Sequence, residues 1–389
     1  MNYNFDEIID RTGYNSVKWT AAGEGVIPMW VADMDFRAAP CIMQALERRL
    51  QHGIFGYVSV PQDYYDATIH WFKTRHHFTI ERDWIVYTTG VVPAISAIIK
   101  GLLAPGDKVA VLTPVYNCFF SSIRNNGCHD VQLPLRYDVA TGRYDIDFAA
   151  LDAALQDPAV KMLILCNPHN PAARVWTRDE LQQIGETCLK HNVIVVSDEI
   201  HCEIVMPGFS FTPFASIDER FLHNSITCSS VSKAWNVAGL QIANIVTSNP
   251  QWRERIDRAI NINEVCDVNP FGVEALIAAY RHGGEWIDEL CRYIRGNFQL
   301  MKDFLRLNFP AWTVTPLEGT YLAWVNIRST GMTSDEMTQF LRDEARVLVN
   351  SGPLYGAAGE GFIRLNLAMP RVRLEEAMRR ISAAFLRRR

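Results

Sequence analysis

The sequence predicts an α/β fold, a mostly parallel central sheet covered by helices on both faces, followed by a smaller α+β domain. Three observations predict it. Short, apolar, β-branched runs alternate with longer amphipathic stretches through the middle of the chain. Those runs lack polar alternation, as strands buried on both faces do. After a long helical stretch the pattern of short strands and helices resumes. At 389 residues the chain exceeds the roughly 100–200 residues of one domain, so more than one packed unit is expected.

Taken in order, residues 1–45 are expected to pack as a leading segment against the small domain, 46–283 to form the large α/β domain, and 284–389 the small one. Strand-like runs fall at 84–87, 108–112, 161–165, 193–196, 225–228 and 242–246. Several end on residues able to do chemistry: Thr89-Gly90, Thr113-Pro114, Asn167-Pro168, Asp198-Glu199 and Ser229-Ser230. In open α/β sheets the carboxyl ends of the strands border the ligand crevice, so these residues are expected to converge. From 271 to 304, Leu276, Ile277, Tyr280, Ile287, Leu290 and Ile294 recur at near-helical spacing and predict a long connector. Strands at 313–315, 321–325 and 361–365 and helices at 334–345 and 374–385 complete the chain.

Composition narrows the function classes. Hydrophobic residues make up 48% and charged residues 21%, ordinary for a globular protein with a sizeable core. A formal net charge of -5 disfavours a protein that works by neutralising nucleic-acid phosphates. The most apolar stretch, from Val91 to Ile99, stops at Lys100, short of the ~20 residues a membrane helix needs. The acidic start, MNYNFDEIID, shows neither a basic nor an apolar leader region, so a cytoplasmic protein is expected. Nine scattered cysteines without Cys-x-x-Cys or zinc spacing suit reduced, buried thiols, with no metal expected. The adjacent His76 and His77 are expected on a surface helix.

The chemistry centres on Ser230-Val-Ser-Lys233, after a predicted strand. A lysine in a buried crevice loses charge and can act as nucleophile and base, as Schiff-base chemistry requires. Ser-x-x-Lys also occurs in serine acyl enzymes, which add Lys-Thr-Gly and Ser-Asp-Asn elements. This chain has no Lys-Thr-Gly, and its nearest Ser-Asp match is Ser197-Asp198-Glu199. Asp198, closing the most apolar run, reads either as a helix cap or as a fixed anion for a cationic heterocycle. Pyridoxal phosphate needs such an anion at its ring nitrogen to accept electrons. Asn170 can donate to the phenolate of that ring, or serve only as a turn residue. Gly90-Val91-Val92 opens a predicted helix whose free amides can hold a phosphate.

Together, Gly90-Val91-Val92, Pro114-Val-Tyr116, Asn167-Pro-His-Asn170-Pro, Ser197-Asp198-Glu-Ile-His201, Ser230-Val-Ser-Lys233 and Gly361-Phe-Ile-Arg364-Leu resemble the fold type I pyridoxal-phosphate enzymes (aspartate aminotransferase-like), aminotransferase class I/II branch. The resemblance spans nearly the whole chain. More narrowly, Trp30-Val-Ala-Asp-Met-Asp-Phe36, Gly56-Tyr57 and Thr320-Tyr-Leu-Ala-Trp324 resemble the MalY/PatB-type carbon–sulfur β-lyases, the cystathionine β-lyases.

The resemblance implies pyridoxal 5'-phosphate as cofactor, Lys233 as its Schiff-base lysine, Asp198 at the pyridine nitrogen and Asn170 at the phenolic oxygen. Tyr116 would stack on the ring with His201 nearby, and Val91, Val92, Ser230 and Ser232 would lie near the phosphate. Tyr57 would reach that phosphate from the neighbouring subunit of a homodimer and take part at the shared site, beside the substrate. Arg364 would hold the substrate carboxylate through its planar fork. The implied reaction cleaves L-cystathionine or another cysteine S-conjugate, a small-molecule thioether, to thiol, pyruvate and ammonia. An aminotransferase is the first alternative and a regulatory protein-binding role on the same fold the second. Three departures stand out: His201 and Gln241 replace the tyrosine and arginine of many aminotransferases, fitting the lyase branch. Ala173 stands where the family usually has glycine, which implies a strained turn if that turn needs positive φ.

Overall fold

A computed structural model of the chain describes residues 3–262 and 267–388. Seven strands form the large sheet in the order Ile85–Thr88, Ala243–Val246, Ser225–Ser229, Ile194–Asp198, Val160–Cys166, Lys108–Thr113 and His129–Pro134. Ala243–Val246 runs antiparallel to both its neighbours, and the other pairs are parallel. The expected mostly parallel sheet is therefore present. Its inner strands are the apolar runs of the sequence, buried because helices lie against both faces. The edge strand His129–Pro134 escapes the sequence pattern. It is polar and half exposed and ends in proline, a composition that blunts an open edge.

A second, antiparallel sheet has the order Thr313–Val314, Leu322–Asn326, Phe362–Asn366 and Asn350–Ser351. Ile27–Pro28 pairs in parallel with Val347–Leu348, which ties the leading segment to this part of the molecule. The two sheets meet across a shared apolar layer. Trp324 stacks on Phe362 at 5.2 Å and donates through Nε1 to the Tyr144 hydroxyl at 3.1 Å, and Tyr144 belongs to a hairpin of the first half of the chain. The long connector expected over 271–304 is two helices, Pro270–His282 and Gly284–Asn308. Gly283 separates them because a Cβ there would lie 2.4 Å from the Trp235 ring nitrogen and 2.6 Å from the Ala279 carbonyl.

His76 corrects another expectation. It ends the helix Gln62–His76, but its ring turns inward, 6% exposed, with Nε2 2.8 Å from Glu203 Oε1. The eight described cysteines are all free, and only Cys41 and Cys118 are not buried; Cys266 lies outside the described residues. Among the described residues no helix is long and apolar enough to cross a membrane.

Candidate active site

The register of the large sheet brings the strand ends level, with Cys166, Asp198 and Cys228 aligned across three neighbours. Asp198 is thereby fixed at the carboxyl end of its strand. It is 3% exposed, and its Oδ1 accepts from the Ile200 amide at 3.1 Å. Its Oδ2 has no donor among the described residues. Burial, opposed by that amide and by Lys233, pushes the carboxyl up to about 7. A buried carboxylate with a free oxygen is a site that needs a cation, and a pyridinium N–H fits that need.

Lys233 lies in the one-turn helix Val231–Ala234, which Ser230 caps by accepting from the Ser232 amide at 3.0 Å. The lysine is half-buried and donates to the Ala32 carbonyl at 2.8 Å. Burial pulls its ammonium below the ordinary lysine range, while Asp33 and Asp198 oppose the shift. The Ser230 hydroxyl also donates to the Ile242 carbonyl at 2.5 Å, so in this arrangement its proton is already engaged.

Arg364 reaches the same place from the second sheet. Nη1 donates to Asn170 Oδ1 at 3.0 Å and Nη2 to the Trp30 carbonyl at 2.7 Å, and the guanidinium covers the Tyr355 ring at 4.8 Å. Nε is buried without a partner among the described residues, a free N–H donor for an arriving anion. Because Asn170 spends its oxygen on Arg364, its amide nitrogen is left to donate elsewhere. His201 is 3% exposed, and its Nδ1 also lacks a partner. Burial, Lys233 and Arg364 bring its pKa down to about 3, so the ring is neutral. Tyr116 follows the Lys108–Thr113 strand, and burial raises its phenol.

Gly90 has an extended backbone, φ 174 and ψ 162, immediately before the helix Val91–Leu102. A Cβ there would lie 3.3 Å from the Pro93 side chain. Val91 and Val92 therefore begin a bare helix end, whose amides have no intrahelical acceptors and suit a phosphate. Tyr57 is not drawn in: it stands 93% exposed in a stretch without helix or strand. The residues present fit pyridoxal phosphate through the open oxygen of Asp198, the free amide of Asn170, the lysine and the bare helix end.

Sequence reasoning flagged residues 30–36 only by resemblance, and the structure shows what they touch. Trp30, Ala32 and Asp33 present carbonyls to Arg364, Lys233 and Asn366 respectively. Asn366 is the partner that was missed. It lies two residues beyond Arg364 on one strand face, so the period of two was a signal that could have found it. Tyr321, whose ring centroid is 6.0 Å from that of His201, and Tyr355 carry no comparable signal.

The family model for aminotransferase class I and II matches residues 24–381. Cystathionine beta-lyase PatB of Bacillus subtilis is 41% identical over 386 residues, covering 98% of this chain and 99% of that protein. The crystal structure of cystalysin from Treponema denticola, which contains a pyridoxal 5'-phosphate cofactor, superposes with a TM-score of 0.97 at 35% identity and covers all of both chains. The PLP-bound C-S lyase from Staphylococcus hominis gives 0.92 at 34% identity over 99% of each.

Proposed function

The chain belongs to the aminotransferase class I and II family, and from that premise we propose that it is a pyridoxal-phosphate-dependent carbon–sulfur β-lyase. It cleaves L-cystathionine or related cysteine S-conjugates to a thiol, pyruvate and ammonia. One observation carries the reading: Lys233 lies within electrostatic reach of both Asp198, which has an open oxygen, and Arg364, whose Nε is unpartnered among the described residues, in a chain 41% identical to PatB.

Bound pyridoxal phosphate supplies an electron sink that acidifies the α-hydrogen of an amino acid. Arg364 orients the substrate by donating from Nε, unpartnered among the described residues, to the substrate carboxylate. Lys233 Nζ, brought toward neutrality by burial, removes the α-proton and can pass it to the departing sulfur. Asp198 would stay ionised beside the cofactor's ring nitrogen and keep that nitrogen protonated, so that the ring could accept the electrons released as the α-proton leaves. The neutral His201 adds no positive charge beside Lys233 that would oppose its protonation.

Residues 54–57 support a homodimer as part of the proposal, with Ile54 65%, Phe55 53% and Tyr57 93% exposed in the single chain. Tyr57 then completes the partner's phosphate site, and the division at 45 and 283 is part of the same proposal, supported by a large sheet between residues 85 and 246 and a small one between 313 and 366. We assign the protein to the cytoplasm on the same footing. Borohydride reduction of the holoenzyme followed by peptide mapping is expected to place the cofactor on Lys233; an adduct on another lysine overturns the site. Arg364→Lys is expected to raise KM at least ~10-fold with a smaller change in kcat, since an ammonium cannot reproduce the guanidinium's planar fork. An unchanged KM means that the carboxylate is held elsewhere.

A further inference from the structure

Residues 30–36 form neither helix nor strand, yet their backbone is fixed from both halves of the chain. Asn236 donates to the Met34 and Phe36 carbonyls at 3.1 and 2.8 Å, and Asn366 to the Val31 and Asp33 carbonyls at 2.7 Å each. A charge quartet holds the segment from the outside. Arg11 bridges Asp33 and Asp35, each at 2.9 Å. Lys18, fully buried, pairs with Asp35 at 2.7 Å and donates to the Asp33 carbonyl at 2.9 Å. Two cations and two carboxylates balance, so the cluster leaves no net charge uncompensated.

Within this quartet Asp35 is structural, with three donors on its carboxylate and 8% of its side chain exposed. Asp33 differs. Among the described residues its carboxylate has only Arg11 as partner, its side chain is 30% exposed, and it directly follows Ala32, whose carbonyl takes the Lys233 ammonium. We propose that Asp33 is a positioning residue for Lys233: clamped by Arg11, it fixes the Ala32 carbonyl against Nζ and keeps a negative charge beside the amine. The proposal rests on Lys233 being the reacting amine. The ionisable groups facing that amine are Asp33, Asp198, Cys118, Arg364 and the neutral His201, and Asp33 is the strongest of those favouring its charged form. In the cofactor-free chain Asp33 thus favours the protonated amine and holds it in place, and Arg11 tempers its field so that the proton can still be given up.

The two members of the clamp act in opposite directions. Asp33→Asn removes the negative charge and lowers the pH at which Lys233 becomes neutral, whereas Arg11→Gln leaves Asp33 uncompensated and raises it. The measurement uses the full-length protein freed of cofactor, acetylated with acetic anhydride across a pH series, with modification at Lys233 and at the exposed Lys100 read by mass spectrometry. The expected result is a midpoint at Lys233 about one pH unit lower in Asp33→Asn and higher in Arg11→Gln, with Lys100 unmoved. Asp33→Glu, which keeps the charge, is expected to return the midpoint most of the way. Shifts in the same direction for the two charge-removing variants, or no shift in either, overturn the proposal. If Asp33→Asn does not fold by melting analysis, Arg11→Gln decides alone: an upward shift supports the role, and no shift or a downward one overturns it. Since this readout needs no cofactor, its failure is distinct from failure of the lyase reading, which shows instead as a missing cofactor adduct on wild-type Lys233.

Discussion

Asp198 makes two opposite demands on one residue. Its burial raises the carboxyl from 3.8 to about 7, so between those values the folded, cofactor-free chain keeps a proton that the unfolded chain has lost. Stability from this group is therefore fully present below about pH 4 and is lost as the pH rises through about 7. Asp198→Asn is expected to melt higher than wild type at pH 8 without cofactor and to match it near pH 4, while turnover of the holoenzyme falls at least ~100-fold. A lower melting point at pH 8 means that the carboxylate is not the buried liability described here. Ala173 is a second residue-scale test. Its φ is +56°, the positive value that glycine tolerates, and the residue is fully buried. Relief of about 1–2 kcal/mol of backbone cost in Ala173→Gly is offset by about 0.4–1 kcal/mol of unfolded-state entropy and by about 0.8 kcal/mol for the lost methyl. Thermal denaturation should thus show Ala173→Gly within about 1 kcal/mol of wild type, and Ala173→Val more than about 2 kcal/mol below it. If valine is tolerated, the left-handed backbone at this position is wrong.

Between elements, what packing dictates outweighs what the local pattern predicts. The runs at 108–112 and 161–165 became strands within a residue of their expected ends, because burial on both faces leaves a continuous apolar signal. The strand Asn350–Ser351 left no such signal: two residues are too few to show a period, and its place is set by pairing with Ile363 and Arg364. The break between Pro270–His282 and Gly284–Asn308 was hidden for a different reason. Its cause is Trp235, 48 residues away in sequence, whose Nε1 donates to the Gly283 carbonyl at 3.1 Å. Gly283→Ala is expected to cost about 2–4 kcal/mol, because its Cβ meets backbone and a fully buried tryptophan that has nowhere to move. Denaturant unfolding checks this, and a loss under about 1 kcal/mol contradicts the packing described. Asp198 and Lys233 were legible as types of chemistry at or just after strand ends, and Arg364, in the middle of the strand Phe362–Asn366, only through the family resemblance. How residues 30–36 hold Lys233 and Arg364 was not legible, because the segment works through backbone carbonyls, which any sequence possesses.

For the whole molecule, the proposed site draws on the large sheet, the small sheet and the leading segment, and the exposed Tyr57 lies apart from it in the single chain. If it serves the partner's site, mixing Tyr57→Phe subunits with Lys233→Ala subunits yields hybrids with one fully wild-type site each. Activity should then rise above that of either parent once subunit exchange is demonstrated by native mass spectrometry; no rise contradicts sharing. The central claim is the reaction itself, carbon–sulfur cleavage rather than amino-group transfer. The measurement is incubation of the holoenzyme with L-cystathionine, without any 2-oxoacid, while pyruvate and free thiol are assayed together. The expected result is many turnovers with pyruvate and thiol in equal amounts, no stimulation by an added oxoacid and none of this activity in Lys233→Ala. Products that stop near one equivalent per subunit and resume only when a 2-oxoacid is supplied would contradict it.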